Sequence, residues 1–128
     1  MSDPARALSQ VLGRGSAHEG VHHWRMQRLT ALALLLLAPW FVISLALLPQ
    51  LDFGTVHSWA SGLVNAALLS LLVVSLCWHS QLGVQVVIED YVRGATRGVA
   101  LVLSSFLHVL LAAVAVLAII RVALGATH

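Results

Sequence analysis

The sequence predicts an all-α integral membrane protein of three transmembrane helices, and three observations carry that prediction. Of 128 residues, 59% are hydrophobic and only 9% charged, with a mean hydropathy of +0.92. A water-soluble domain this small buries too little of its surface to hide so much apolar area. The apolar residues also gather into three runs, Leu29 to Leu48, Leu63 to Ile88 and Val99 to Leu124. Each reaches the length of about 20 residues that a helix needs to cross the hydrocarbon core. Short polar segments rich in turn-forming residues separate the runs. With their polar ends included, the helices are placed at 29–48, 62–91 and 98–124, in a membrane unit of residues 22–128 behind a polar tail of residues 1–21.

In the tail, "GRGSAHEG" lacks the glycine spacing of a dinucleotide fingerprint and follows no strand. The first apolar run starts too late and is too long for a cleaved secretory signal, so no cleavage is expected. Pro39 removes a backbone donor within the first helix, a defect that neighbouring helices in membranes accommodate. "PQLDFG", Pro49 to Gly54, reads as a turn-rich loop, with Trp59 nearby suited to the membrane interface. "RGATRG", Arg93 to Gly98, is the second connection.

All seven basic residues are arginines, and the formal net charge is +2. They cluster beside the apolar runs, as membrane-edge residues do, and show no nucleic-acid signature. Arg14, Arg25 and Arg28 precede the first helix and Arg93 and Arg97 follow the second, whereas the first loop carries Asp52 and no arginine. The positive-inside rule then puts the N-terminus and the second loop on the cytoplasmic side, with the C-terminus opposite, and the expected location is the inner (cytoplasmic) membrane. A single cysteine, Cys77, excludes an intrachain disulfide, a CxxC pair and a cysteine zinc cluster.

The second run holds the candidate chemistry. Counted at about 100° per residue from His79, Ser75 and Gly83 share the histidine's face, and Asp90 returns to within about 20° of it. Asn65, Leu68 and Leu72 continue that stripe toward the other surface, so this face is expected to point into a bundle. Gly83 leaves a gap one turn from His79 in which a large planar group could approach the backbone. Three readings of His79 stand open from the residues: a packed imidazole bonded to a neighbouring helix, a proton relay, or a metal or haem ligand. His108, beside Ser104 and Ser105, reads as packed before it reads as a ligand. "EDYVRGATR" is equally compatible with an ordinary helix end carrying a Glu89–Arg93 pair and with a site where Tyr91, oriented by Asp90 or an arginine, donates to the carbonyl of a lipid-soluble ligand.

These residues resemble the smaller hydrophobic membrane anchor of succinate dehydrogenase (respiratory complex II), in its haem b-containing type. That family carries, in its second helix, a histidine, a glycine four residues on, and an Asp-Tyr pair eleven and twelve residues on, matched here by His79, Gly83, Asp90 and Tyr91. A histidine and an Arg-x-Thr-Ala stretch precede its first helix, matched by "HHWRMQRLTA" with Arg28, Thr30 and Ala31. The resemblance implies a three-helix bundle packed with a second membrane anchor, beneath the iron–sulfur and flavoprotein subunits that oxidise succinate. This chain is then not catalytic alone. It implies further that His79 is one axial ligand of haem b, with Gly83 against the macrocycle and Arg28 near the propionates. His22 or His23 is placed there as well. On the same reading Tyr91 hydrogen-bonds ubiquinone and Asp90 supports Tyr91.

Two readings of another class compete. A small scaffold or assembly protein without a redox role would use His79 only to hold helices together. A proton-coupled transporter component would need a titratable partner near mid-membrane, and the sequence offers no acidic one.

Overall fold

In a computed structural model, which describes residues 16–125 and side chains from residue 20, four helices follow one another. They are α1 (Ser16–Ala46), α2 (Phe53–Ser61), α3 (Leu63–Tyr91) and α4 (Ala95–Ala123). Three of them, α1 from Gly20, α3 and α4, are long and apolar enough to cross a membrane. α1 begins within the stretch read as a polar tail and runs unbroken through Pro39. The rest of that tail, and the C-terminal His128, lie outside the described residues.

α3 is the middle element, packed on one side against α1 and on the other against α4, while α2 rests on α3 and α4. Burial is sparse: Leu37, Ala66, Leu82, Thr30 and Ser75 are the buried residues among those described. None of the most apolar stretch of α4 is buried. Leaving one Leu or Val side chain in water forgoes about 1.5–3 kcal/mol, and exposed leucines and valines line all three long helices. The fold therefore needs lipid or neighbouring subunits as its solvent.

With so little apolar burial within the chain, polar clasps set helix register. Between α3 and α4, Gln81 Nε2 donates to Ser105 Oγ at 2.9 Å. His108 Nδ1–H donates to the Ser104 carbonyl at 2.8 Å, which leaves Nε2 to accept from the Ser80 hydroxyl at 3.2 Å. Such interhelical bonds contribute about 0.6 kcal/mol on average and up to about 2. With both nitrogens engaged, His108 is a packed residue.

α2 goes beyond the sequence reading, which has a turn-rich loop at Pro49 to Gly54 and no helix between it and residue 62. Asp52 is its N-cap, accepting from the Thr55 N–H at 3.3 Å. Asn65 Nδ2 donates to the Trp59 carbonyl at 2.8 Å, closing the other end across Gly62. Trp59, expected at the interface, stacks on Trp40 with centroids 6.0 Å apart and tilts against Phe41 at 6.2 Å, tying α2 to α1. At the opposite end of α3 the turn into α4 passes through Gly94 with φ +73° and ψ −157°, a conformation that only glycine adopts without strain.

Candidate functional site

The α1–α3 contact brings together two residues 49 positions apart in sequence. Thr30, 9% exposed, faces His79 on α3. Its hydroxyl oxygen lies 2.9 Å from the Met26 carbonyl, 3.1 Å from the Gln27 carbonyl and 3.1 Å from His79 Nδ1. The hydroxyl has one proton, and carbonyl oxygens can only accept. That proton goes to the backbone, as is common for a threonine inside a helix. Nδ1–H of His79 then donates to Thr30 Oγ1. The tautomer follows: the proton sits on Nδ1 and the lone pair on Nε2, which has no hydrogen-bond partner among the described residues.

His79 also lines an open pocket of about 330 Å³ with Trp24, Gln27, Arg28 and Ala31. The four α1 residues recur at i, i+3, i+4 and i+7, so one face of α1 forms the wall. Arg28 lies over the Trp24 ring, its guanidinium carbon 5.5 Å from the centroid, which holds the cation at the pocket. Of the residues predicted for the site, Arg28 and His79 are thus brought together. Gly83, one turn from His79, is half-exposed, and a Cβ built there would meet nothing within 4 Å. His22 is exposed, whereas His23 Nε2 is buried without a partner. Trp24 and Gln27 were not singled out from the sequence, although their spacing from Arg28 was there to be read.

Tyr91 and Asp90 stand apart from this pocket. Tyr91 ends α3 and is 82% exposed. At 1.5 Å per residue it lies about 18 Å along the helix from His79. Asp90 is exposed and makes no hydrogen bond or ion pair with Tyr91 or an arginine among the described residues. Glu89 accepts from Gln85 Nε2 at 3.0 Å. Because α3 stops at Tyr91, Arg93 is beyond the helix, and the Glu89–Arg93 pair weighed from the sequence does not form among the described residues.

A further cavity of about 440 Å³ opens between α3 and α4, lined by Trp78, Cys77, Gln81, Ser105 and His108 among others. It lies on the face of α3 roughly opposite His79.

Comparison with known proteins bears on what this arrangement serves. Residues 2–120 match the family of succinate dehydrogenase/fumarate reductase transmembrane subunits. The chain belongs to that family. The succinate dehydrogenase hydrophobic membrane anchor subunit of Paracoccus denitrificans is 36% identical over 115 residues, 89% of this chain and 88% of the relative. The protein of the same name from Rickettsia bellii (strain RML369-C) is 36% identical over 78 residues, 61% of this chain and 62% of the relative. That of Rickettsia conorii (strain ATCC VR-613 / Malish 7) is 35% identical over 79 residues, 61% and 63% of the two chains. No solved structure matches the chain. The resemblance seen in the motifs is borne out: this is a multi-pass membrane anchor of succinate dehydrogenase, and it works with partner subunits of that complex.

Whether the residues of this succinate dehydrogenase anchor suit a haem can be tested on their chemistry. Among the described residues no group of three or more His, Cys, Asp or Glu comes together that could hold a bare metal ion. An iron already carried in a macrocycle needs only ligands on its open positions, and an imidazole with a free Nε2 can supply one of them. The open backbone at Gly83 and the cation of Arg28 suit a flat apolar ring with carboxylate arms. The donor set fits.

Proposed function

We propose that this anchor binds haem b through His79 and contributes to a ubiquinone site through Tyr91, within a complex that passes electrons from succinate to quinone. The observation that carries the haem reading is the contact of Thr30 with His79 Nδ1, from which the tautomer is argued. The imidazole proton is committed to Thr30 and the Nε2 lone pair is unbonded beside the Arg28 pocket. Left bare in hydrocarbon, that lone pair would be an unsatisfied polar group. When bound, the haem supplies a one-electron redox centre beside His79.

The chain's own residues divide the work by depth. His79 would supply one nitrogen ligand to the haem iron through Nε2, with a second ligand expected from the second membrane anchor. Arg28 would hold a haem carboxylate, since a guanidinium fork suits a carboxylate partner. His23, with its buried unpartnered Nε2, is better suited than the exposed His22 to stand on that side. Gly83 keeps the adjacent backbone clear of a side chain. Tyr91, exposed at the end of α3, can donate its phenolic proton to a quinone carbonyl. Asp90 beside it stays at the wet edge, where the two protons that quinone reduction consumes are available. The distribution of arginines supports placing this edge on the cytoplasmic side of the inner membrane, under the iron–sulfur and flavoprotein subunits.

A purely packing His79 would make the same bond to Thr30, so the deciding test is spectroscopic. Reduced-minus-oxidised spectra of the purified complex should show a b-type band in the wild type that His79→Ala abolishes or shifts. A wild-type complex without that band, or a band indifferent to His79→Ala, would return His79 to a structural role.

A further inference from the structure

We propose that Thr30 is a positioning residue for the haem centre, holding His79 in its ligating tautomer and setting how strongly Nε2 donates to iron. The proposal rests on the reading of His79 as an axial ligand and goes further, by assigning a redox-tuning role to a residue on another helix.

The geometry supports a preorganised acceptor. Because its proton is taken by the Met26 and Gln27 carbonyls, the Thr30 oxygen presents only lone pairs to His79. Thr30 is buried, so little water competes for Nδ1. The same back-bonds and the branched Cβ restrict its rotamer, so the acceptor keeps its place. An Nδ1–H that donates to a fixed oxygen leaves more electron density on the ring and makes Nε2 more basic. A more basic axial ligand favours ferric over ferrous iron and lowers the haem potential. Loss of the acceptor therefore raises the potential and frees the ring to turn.

The test uses the purified complex carrying Thr30→Val, Thr30→Ala or Thr30→Ser, with His79→Ala as reference. Three readouts are taken: the redox titration of the b-type band, the low-spin ferric electron paramagnetic resonance signal, and the rate of haem loss. Thr30→Val should shift the ferric/ferrous equilibrium about tenfold toward ferrous iron, equivalent to a rise of ~59 mV for one electron. Haem should be held about tenfold more weakly, the lower end of what such supporting groups contribute. The resonance signal should move as the imidazole plane turns. Thr30→Ser keeps a hydroxyl and should behave as wild type. If valine prevents assembly, Thr30→Ala removes the hydroxyl without adding bulk and should show the same shifts. A wild-type potential in Thr30→Val or Thr30→Ala, or a serine variant that behaves like them, would overturn the positioning role while the haem assignment stands. A band that survives His79→Ala unchanged would overturn the haem assignment itself.

Discussion

Thr30 and His79 show how a side chain's chemistry can be set from another helix. An imidazole has two possible neutral tautomers, and the choice is made by whichever nitrogen finds an acceptor. Here a threonine with a spent proton supplies it. The sequence displayed Thr30 only as part of a matched stretch, with no sign of its partner, because contacts between residues 49 positions apart leave no local periodicity. Gly83 and Arg28, by contrast, were legible through helical spacing and the matched motifs, and the structure placed Arg28 in the His79 pocket. Tyr91 carries a prediction that belongs at this scale. Tyr91→Phe removes one hydrogen-bond donor at an exposed helix end and leaves the fold unchanged. Quinone reduction by the complex should fall roughly tenfold, as expected when a hydrogen bond worth about 1.4 kcal/mol is lost from the transition state. Succinate oxidation by an artificial water-soluble acceptor should stay at the wild-type rate. Equal loss in both assays would remove Tyr91 from the quinone site.

Among the elements, the three long helices came directly from hydropathy, and their observed ends fall within a few residues of those expected, apart from the start of α1. That start, at Ser16, was missed because residues 16–28 are too polar to register as a span. α2 was missed for a related reason: nine residues are too short to show a period. Its one local signal was Asp52, placed to cap a helix beginning at Phe53. Thr55, through its side chain first and its backbone N–H after that, holds the Asp52 carboxyl below its ordinary value of 3.8. The sign follows from linkage. A depressed folded value means that the cap contributes fully above pH 3.8 and is lost as pH falls through the lower folded value. Hydrogen exchange at the Thr55 amide should therefore show fraying of the first turn of α2 below that range. Asp52→Ala should fray it at neutral pH, whereas Asp52→Asn should keep the cap and abolish the pH dependence. Exchange at Thr55 that is the same in wild type and Asp52→Ala would show that the cap does not hold α2.

For the molecule as a whole, the sparse internal burial is the informative feature. A chain whose long helices meet mainly through a few polar clasps relies on the bilayer and on its partners for cohesion. Orientation then decides whether Tyr91 and the turn at Gly94 face the side from which electrons arrive. Single cysteines introduced at Thr96 in a Cys77→Ala background should be labelled by an impermeant maleimide only after the cytoplasmic face is opened. Labelling in intact cells would reverse the topology and separate Tyr91 from its proposed electron supply.

Sequence alone determined the solvent of this protein and its three-helix plan, since hydropathy over 20-residue stretches is a local property that survives without knowledge of contacts. It also marked His79, Gly83, Asp90 and Tyr91, because helical spacing and family motifs are written along one segment. Tertiary structure decided what His79 can do. Only the approach of α1 to α3 delivers the Thr30 oxygen to Nδ1, sets the proton there, and leaves Nε2 free beside Arg28. A hydrogen bond's direction depends on which groups meet in space, and that is information no single helix contains.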